Sequence, residues 1–448
     1  MPGIMLNLPP VPLQLITLLE SAGHAAYAVG GCVRDALLGQ TPADWDLCTS
    51  ARPEEVAAAL RPHGITIHET GLQHGTVTAV IDHQPVEITT FRLDGGYTDH
   101  RRPDNVIFTD DLTADLSRRD FTVNAMAWGP CQGLADPFGG QADLQAGLLR
   151  CVGEPSRRFG EDALRILRCL RFASVLGFSI EESTSRALFD LKDSLAHVAA
   201  ERIQIELTKL LCGQRARQTL LEYREVVFAV LPRLRPLSGF DQRTPWHCHD
   251  IWEHTCAAVE AAPPEPALRW AALLHDCGKP PCFFLRDGAG HFHGHAEVSE
   301  TMAREILGAL KCPKRMIERV AKLVRHHEMR LLEQSPAPAK LRRLLGAFGR
   351  ETLLDLLELT RADVTAQAPE KLYRLENYQP LRTQIIALAA ENPCVSREQL
   401  AVNGADLLPL GLRGPQLGQM LERLLEEVLE GRLPNERDAL LQFLMLHA

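Results

Sequence analysis

The sequence predicts an α+β chain: a small mixed β-sheet within the first 150 residues, then helices to the end. Three observations carry this. Short β-rich runs with small or branched residues are confined to the first part, as in YAVGG (27–31), TVTAVID (76–82) and PVEITTF (85–91). From residue 161 the apolar positions switch to a helical period, 164, 166, 167, 170 and 172, with arginines at 165, 168 and 171. Nine of the 17 histidines fall between 247 and 327, inside a helical pattern.

Taken in order, residues 12–22 read as a short helix, and YAVGG as a strand that ends in a glycine turn. A helix begins near Arg34 and stops by Gly39 and Pro42. DWDLCTS reads as the next strand, since Leu47, Cys48 and Thr49 suit a buried pleat. The runs 76–82 and 85–91 form two more strands around a His-Gln turn. Residues 92–117 are polar and punctuated by Gly, Pro and Asp, which predicts a long loop. EDALRILRCLRFASVLG (161–177) is an amphipathic helix with a basic face, and AERIQIELTKLL (200–211) is another. LPRLRPLSGFDQRTP (231–245) reads as a linker, 246–365 as helical, and 366–448 as helical with Gly/Pro breaks. The expected organisation is therefore 1–150, 151–235, 246–365 and 366–448.

Composition sets the outer bounds. At about 100–200 residues per domain, 448 residues suggest two to four domains. Apolar residues are 45% and charged residues 23%, ordinary for a globular protein. The first basic side chain is Arg34, so no secretory signal is expected, and no apolar run is long enough for a bilayer. Twelve cysteines without a C-x-x-C pair read as reduced thiols, and the expected location is cytoplasmic, with no membrane and no obligate protein partner. Net charge is −9, but residues 1–150 carry 9 basic and 18 acidic side chains, and 151–240 carry 14 and 11. The first stretch suits cations and the second suits phosphates.

The stretch VGGCVRDALLGQTPADWDL (29–47) gives that charge a chemistry. On a strand, Asp44 and Asp46 point to one face, and carboxylates so close repel unless a divalent cation lies between them. Mg²⁺ is held by one or two carboxylates plus substrate phosphates. The glycines, Gly31 among them, let backbone approach a phosphate, and Arg34 adds a charged fork. Such a set serves two-metal phosphoryl transfer, with Glu87 on a neighbouring strand as the third carboxylate. In RRDFTVNAMA (118–127), Arg119 can hold a phosphate and Asp120 can accept from ribose hydroxyls. Asp162 and Arg165, three apart, are expected on one helical face, where a carboxylate beside a guanidinium matches the edge shared by cytosine and adenine and rejects uracil and guanine. Arg168 and Arg171 extend the basic face.

Together VGGCVRDALLG…DWD, ITTFRLDGGYTDHRRP, RRDFTVNAMA, LADPFGGQADL (134–144), EDALRILRCLRF and ERIQIELTKLL resemble the class II CCA-adding tRNA nucleotidyltransferases of the polymerase-beta-like superfamily, over about residues 1–215. The resemblance implies a nucleotidyltransferase head (1–150), an all-α neck (151–235) that selects the nucleotide without a template, and a helical tail (366–448) that contacts tRNA. It implies Gly31 and Arg34 near the triphosphate, Asp44 and Asp46 on Mg²⁺, and Arg119, Asp162, Arg165, Arg168 and Arg171 on the nucleotide. It also implies addition of CCA to tRNA from CTP and ATP. Residues 92–103 resemble the family's flexible loop.

In the histidine-rich part, His254 in DIWEHT, His275-Asp276 in LLHDCGKP and Asp363 in LTRADV make a divalent-metal ligand set, with His295 and His326 as candidates for a second ion. LLHDCGKP resembles an HD phosphohydrolase motif, which implies an HD-type helical domain (246–365) with a divalent metal of unspecified identity and phosphoester hydrolysis. Two other readings stay open: a poly(A) polymerase or A-adding enzyme of the same superfamily, and an HD nucleotide phosphohydrolase whose head only senses nucleotide.

Overall fold

A computed structural model describes residues 6–71, 75–95, 106–244, 246, 249–334, 336–391 and 394–447. The chain divides into two compact units, Met1–Pro232 and Arg233–Ala448. It is α+β, with a mixed sheet near the N-terminus and helices thereafter. No helix among the described residues is long and apolar enough to cross a membrane.

In the first unit the strands are β1 (Ala26–Val29), β2 (Leu47–Thr49), β3 (Thr66–Gly71), β4 (Thr76–Ile81), β5 (Gln84–Thr90), β6 (Arg92–Asp94), β7 (Val106–Phe108), β8 (Ala127–Gly129) and β9 (Gly133–Ala135). Seven form one sheet in the order β3-β4-β5-β2-β1-β8-β9, and β6 pairs with β7 in a separate ribbon. β2 runs parallel to β5, with Leu47 opposite Ile88, while β1 is antiparallel to β2 and β8. β4 and β5 meet through Asp82 and His83, both with positive φ, so the tight turn lies one residue before the expected His-Gln pair. Helices Pro10–Ser21 and Pro53–Leu60 contribute buried Leu15, Ile16, Leu19, Val56 and Leu60 to the core.

The sheet differs from expectation at one informative place. Asp44 and Asp46 are not in a strand; they lie in the extended stretch just before β2. Three residues, Leu47–Thr49, suffice to pair with both neighbours, and the Asp46 carbonyl still accepts from the Val29 amide at 2.9 Å. The expected loop at 92–117 is partly structured as well: it contains β6, β7 and helix Leu112–Ser117, while residues 96–105 lie outside the described set.

Six helices close the first unit, including Pro155–Glu161, Leu164–Leu176, Glu182–Leu191 and Ala200–Leu211. The helix expected over 161–177 is broken: Asp162 has φ −141° and ψ 103°, which ends one helix, and the next begins at Leu164. In the second unit the helices Ile251–Ala261, Pro266–Leu274, His295–Ala309, Lys314–His326 and Pro338–Thr365 dominate, the last with a non-helical Gly349 at φ 72°. A β-hairpin, Phe284–Arg286 with Ala289–His291, interrupts what the sequence suggested was all helix. Its turn is Asp287-Gly288, both at positive φ, the residue pair such a turn favours.

Candidate active site and metal centre

The carboxylates of the first unit come together through strand register. With Leu47 opposite Ile88 in a parallel pair, the preceding residues Asp46 and Glu87 lie side by side at the same end of the sheet. On β5, Val86 and Ile88 are buried, so Glu87 points to the opposite, exposed face. Loss of hydration raises the Asp46 carboxyl to about 6, and the charges of Asp44 and Glu87 push it the same way, while Arg119 works against them. Burial of a carboxyl beside two further carboxylates fits a divalent cation.

Beside it lies the glycine turn. Gly30 has φ 84°, and a Cβ there would meet Arg119 Nη1 at 3.0 Å. Arg119 therefore lies against the bare backbone of the turn. Gly31 opens the helix Gly31–Leu37 that carries Arg34. Arg34 is buried; its guanidinium donates to Asp35 Oδ1 at 2.8 Å and to Asn124 Oδ1 at 2.6 Å.

Asp120 is placed differently from the sequence reading. It is buried, and its carboxylate accepts from Arg168 Nε at 2.8 Å and Nη2 at 2.5 Å, from Asn124 Nδ2 at 3.2 Å and from the Phe121 amide at 2.9 Å. Burial alone would raise this carboxyl, but Arg168 and these donors hold it at about 2. Asp120 here anchors Arg168. Asn124, which the sequence reading passed over, links Arg34 to Asp120.

Asp162 and Arg165 do not pair with each other. Asp162, outside the helix, accepts from the Leu164 amide at 3.1 Å and from Arg202 Nη2 at 3.0 Å. Arg165 pairs with Glu161 Oε2 at 2.9 Å and donates to the Arg118 carbonyl at 3.0 Å. The helix break at Asp162 is the reason, because i,i+3 spacing brings side chains together only on continuous helix. Arg171 pairs with Glu206 at 3.1 Å. Arg202 and Glu206 sit on Ala200–Leu211, a helix whose amphipathic pattern was visible though its partners were not.

The second unit gathers its histidines from separate helices. His254 Nε2 lies 3.3 Å from His275 Nε2, 3.0 Å from Asp363 Oδ1 and 3.5 Å from Asp276 Oδ2. His295 Nε2 lies 3.2 Å from His327 Nε2 and 3.3 Å from Asp276 Oδ1. Each of the four rings has its Nδ1 on a backbone carbonyl, of Ala366, Ala272, Phe292 and Val324, at 2.7–3.1 Å. Those contacts place the proton of a neutral ring on Nδ1, and in that state the facing Nε2 atoms present lone pairs to each other. Such pairs fit a cation between them, and Asp276 offers one oxygen to each pair. His254, His275 and Asp276 form one group with metal-ligand spacing, and Asp276, His295 and His327 form another. Burial opposes ionisation of Asp276, but His275 and Lys279 hold its carboxyl well below the usual range. The second histidine is His327; His326 instead meets the Phe348 ring edge-on at 4.8 Å. His326 ends its helix facing away from this cluster, and adjacent residues on a helix point about 100° apart. A cleft of about 260 Å³ opens onto the cluster, lined also by Trp246, Lys279, Phe292, Arg330 and Arg374.

Comparison with known proteins bears on both units. Residues 26–150 match the poly A polymerase head domain family, 177–231 match the family described as an RNA and SrmB-binding site of polymerase A, and 291–444 match tRNA nucleotidyltransferase domain 2. The CCA-adding enzyme of Leuconostoc mesenteroides is 34% identical over 96% of this chain and 94% of its own. That of Geobacillus thermodenitrificans is 34% identical over 97% and 96%. The crystal structure of Bacillus stearothermophilus CCA-adding enzyme in complex with CTP superposes with TM-score 0.72 at 30% identity, covering 98% of each chain. The Thermotoga maritima CCA-adding enzyme complexed with tRNA shares the fold, with TM-score 0.59 at 20% identity.

Proposed function

This chain belongs to the CCA-adding enzyme family of tRNA nucleotidyltransferases, and on that premise we propose that Asp44, Asp46 and Glu87 hold Mg²⁺ for stepwise, template-independent transfer of C, C and A from CTP and ATP to a tRNA 3′ end. The observation that carries the reading is the crowding of three carboxylates at one sheet end, where burial first and then the charges of Asp44 and Glu87 raise Asp46 to about 6. When bound, Mg²⁺ supplies Lewis-acid stabilisation of the transferring phosphoryl group.

The chain's own side chains do the rest. Gly30 and Gly31 keep side-chain bulk out of the turn so that Arg119 and Arg34 can lie close to it, and Arg34, Arg119, Arg168 and Arg171 supply positive charge towards a triphosphate. Asp162 and Arg165 offer an acceptor and donors to the amino and ring-nitrogen edge shared by cytosine and adenine, each steadied by its own partner, Arg202 and Glu161. Residues 1–150 then act as head, 151–235 as neck, 246–365 as a histidine-bearing domain and 366–448 as a tRNA-contacting tail, in the cytoplasm. The test is tRNA lacking its 3′ end, incubated with labelled CTP and ATP separately and together. Incorporation of both nucleotides, AMP following CMP, supports the reading; AMP alone would favour an A-adding enzyme.

A second reading rests on the facing Nε2 pairs. His254, His275, Asp276 and Asp363 are suited to hold one divalent ion, and Asp276, His295 and His327 a second. A divalent ion there supplies a Lewis acid for phosphoester hydrolysis. The test is metal analysis of the pure protein, together with hydrolysis of a 2′,3′-cyclic nucleotide across a panel of divalent metals. Absence of bound metal and of hydrolysis would leave this region a spacer.

A further inference from the structure

Three of the arginines assigned above to the nucleotide meet at one aromatic ring. The guanidinium carbons lie 5.1 Å (Arg34), 5.5 Å (Arg168) and 4.0 Å (Arg171) from the centre of Phe172. Arg34 comes from the helix after the glycine turn, and the other two come from the helix of Phe172 itself. Each has its own carboxylate: Asp35 for Arg34, Asp120 for Arg168 and Glu206 for Arg171. An ion pair fixes the edge of a guanidinium and leaves its plane free to turn about that edge; contact with a ring face fixes the plane. Phe172 is itself held, only 8% exposed, with Phe121 edge-on at 5.8 Å and 81°.

We propose that Phe172 is a positioning residue for nucleotide binding: its ring sets the planes of Arg34, Arg168 and Arg171, and partly offsets the repulsion among them, so that their remaining N–H donors face the triphosphate together. The attraction comes from the negative face of the ring, which an aliphatic side chain of similar volume lacks. The proposal rests on the reading that these arginines bind the nucleotide.

The discriminating experiment replaces Phe172 with 4-fluoro-, 3,5-difluoro- and 3,4,5-trifluorophenylalanine, which keep nearly the same shape while draining charge from the ring face. Steady-state KM for CTP and ATP is measured on tRNA acceptors, with Phe172→Leu and Arg171→Ala in parallel and melting temperature recorded for each protein. The expected result is a stepwise rise in KM with each added fluorine, reaching about 3- to 10-fold, with kcat moving less and melting temperature showing no such trend. Phe172→Leu should sit at or beyond the trifluoro end. A flat KM across the fluorinated series, with KM raised in Arg171→Ala, overturns the role of the ring and leaves the nucleotide site standing. An unchanged KM in Arg171→Ala overturns the arginine assignment and this proposal with it.

Discussion

At the scale of single residues, the two candidate sites rest on like groups forced together. Asp46 is raised to about 6 by lost hydration and by its neighbours Asp44 and Glu87. A carboxylate this perturbed is costly unless a cation compensates it. Asp46→Asn should therefore lower nucleotide incorporation on the order of 10²–10³-fold, as when a main source of transition-state stabilisation is removed, while leaving or raising the melting temperature of the metal-free protein. Single-turnover incorporation and a thermal melt check the two halves of this expectation; retained activity would remove Asp46 from the site. Glu87→Gln should behave likewise, since the parallel register sets it beside Asp46. In the second unit the adjacent histidines separate cleanly. His327→Ala should lower bound metal, whereas His326→Ala should leave it unchanged, because only His327 faces His295, at 3.2 Å. Metal content by mass spectrometry after gel filtration decides this; equal loss in both variants would argue against the assignment. The sequence pointed to His326 within the His-His pair where the structure places His327 against His295, because neighbours on a helix differ only in facing, and facing is set by packing.

Secondary elements carry a second class of prediction. Glu181 caps the helix Glu182–Leu191, accepting from the Thr184 amide at 2.9 Å and from the Ser183 and Thr184 hydroxyls at 2.7 and 3.0 Å. Burial acts to raise its carboxyl, but these donors outweigh it and lower it from 4.5 to about 2. A group depressed on folding stabilises the protein above its unfolded value, and that contribution fades as pH falls from 4.5 towards 2. Glu181→Ala should thus cost about 1 kcal/mol at pH 7, the usual worth of a cap, with the difference from wild type shrinking below pH 4.5. Denaturant melts at pH 7 and pH 3 read it out; a pH-independent difference would mean that packing, not the charge, matters. Elements also show where sequence reading reached and where it stopped. The periodicity of 200–211 marked a helix with the observed ends, Ala200–Leu211. The runs 76–82 and 85–91 lay within a residue of β4 and β5. By contrast, the single helical face expected for Asp162 and Arg165 is absent, because Asp162 is itself extended and the next helix starts only at Leu164. The true partners, Arg202 and Glu161, were invisible as such: Arg202 lies 40 positions from Asp162, and Glu161 looked like one more charge on a charged helix. The hairpin after Cys282 went unread within the expected helical stretch 246–365, because its strands are three residues each, too short to show an alternating pattern.

Over the whole molecule, the family assignment spans both compact units, and the histidine cluster lies in the second, a different unit from the carboxylates of the first. The chemistry of the two sites differs as well. The first offers oxygen ligands alone, suited to Mg²⁺; the second offers imidazole nitrogens with bridging carboxylate oxygen, suited to a transition metal. The sites should therefore respond to different ions and different substitutions. On the hydrolysis reading, His275→Ala/Asp276→Ala should remove phosphoester hydrolysis and metal binding at the cluster, yet leave incorporation of CMP and AMP within about twofold. Asp44→Ala/Asp46→Ala should do the reverse. A chelator selective for transition metals over Mg²⁺ should silence only hydrolysis. Measuring both activities on each variant, in one buffer with Mg²⁺ in excess, closes the cycle. Loss of nucleotide addition in His275→Ala/Asp276→Ala, with melting unchanged, would mean that the histidine cluster serves the transfer reaction itself, and two independent active sites on one chain would be ruled out.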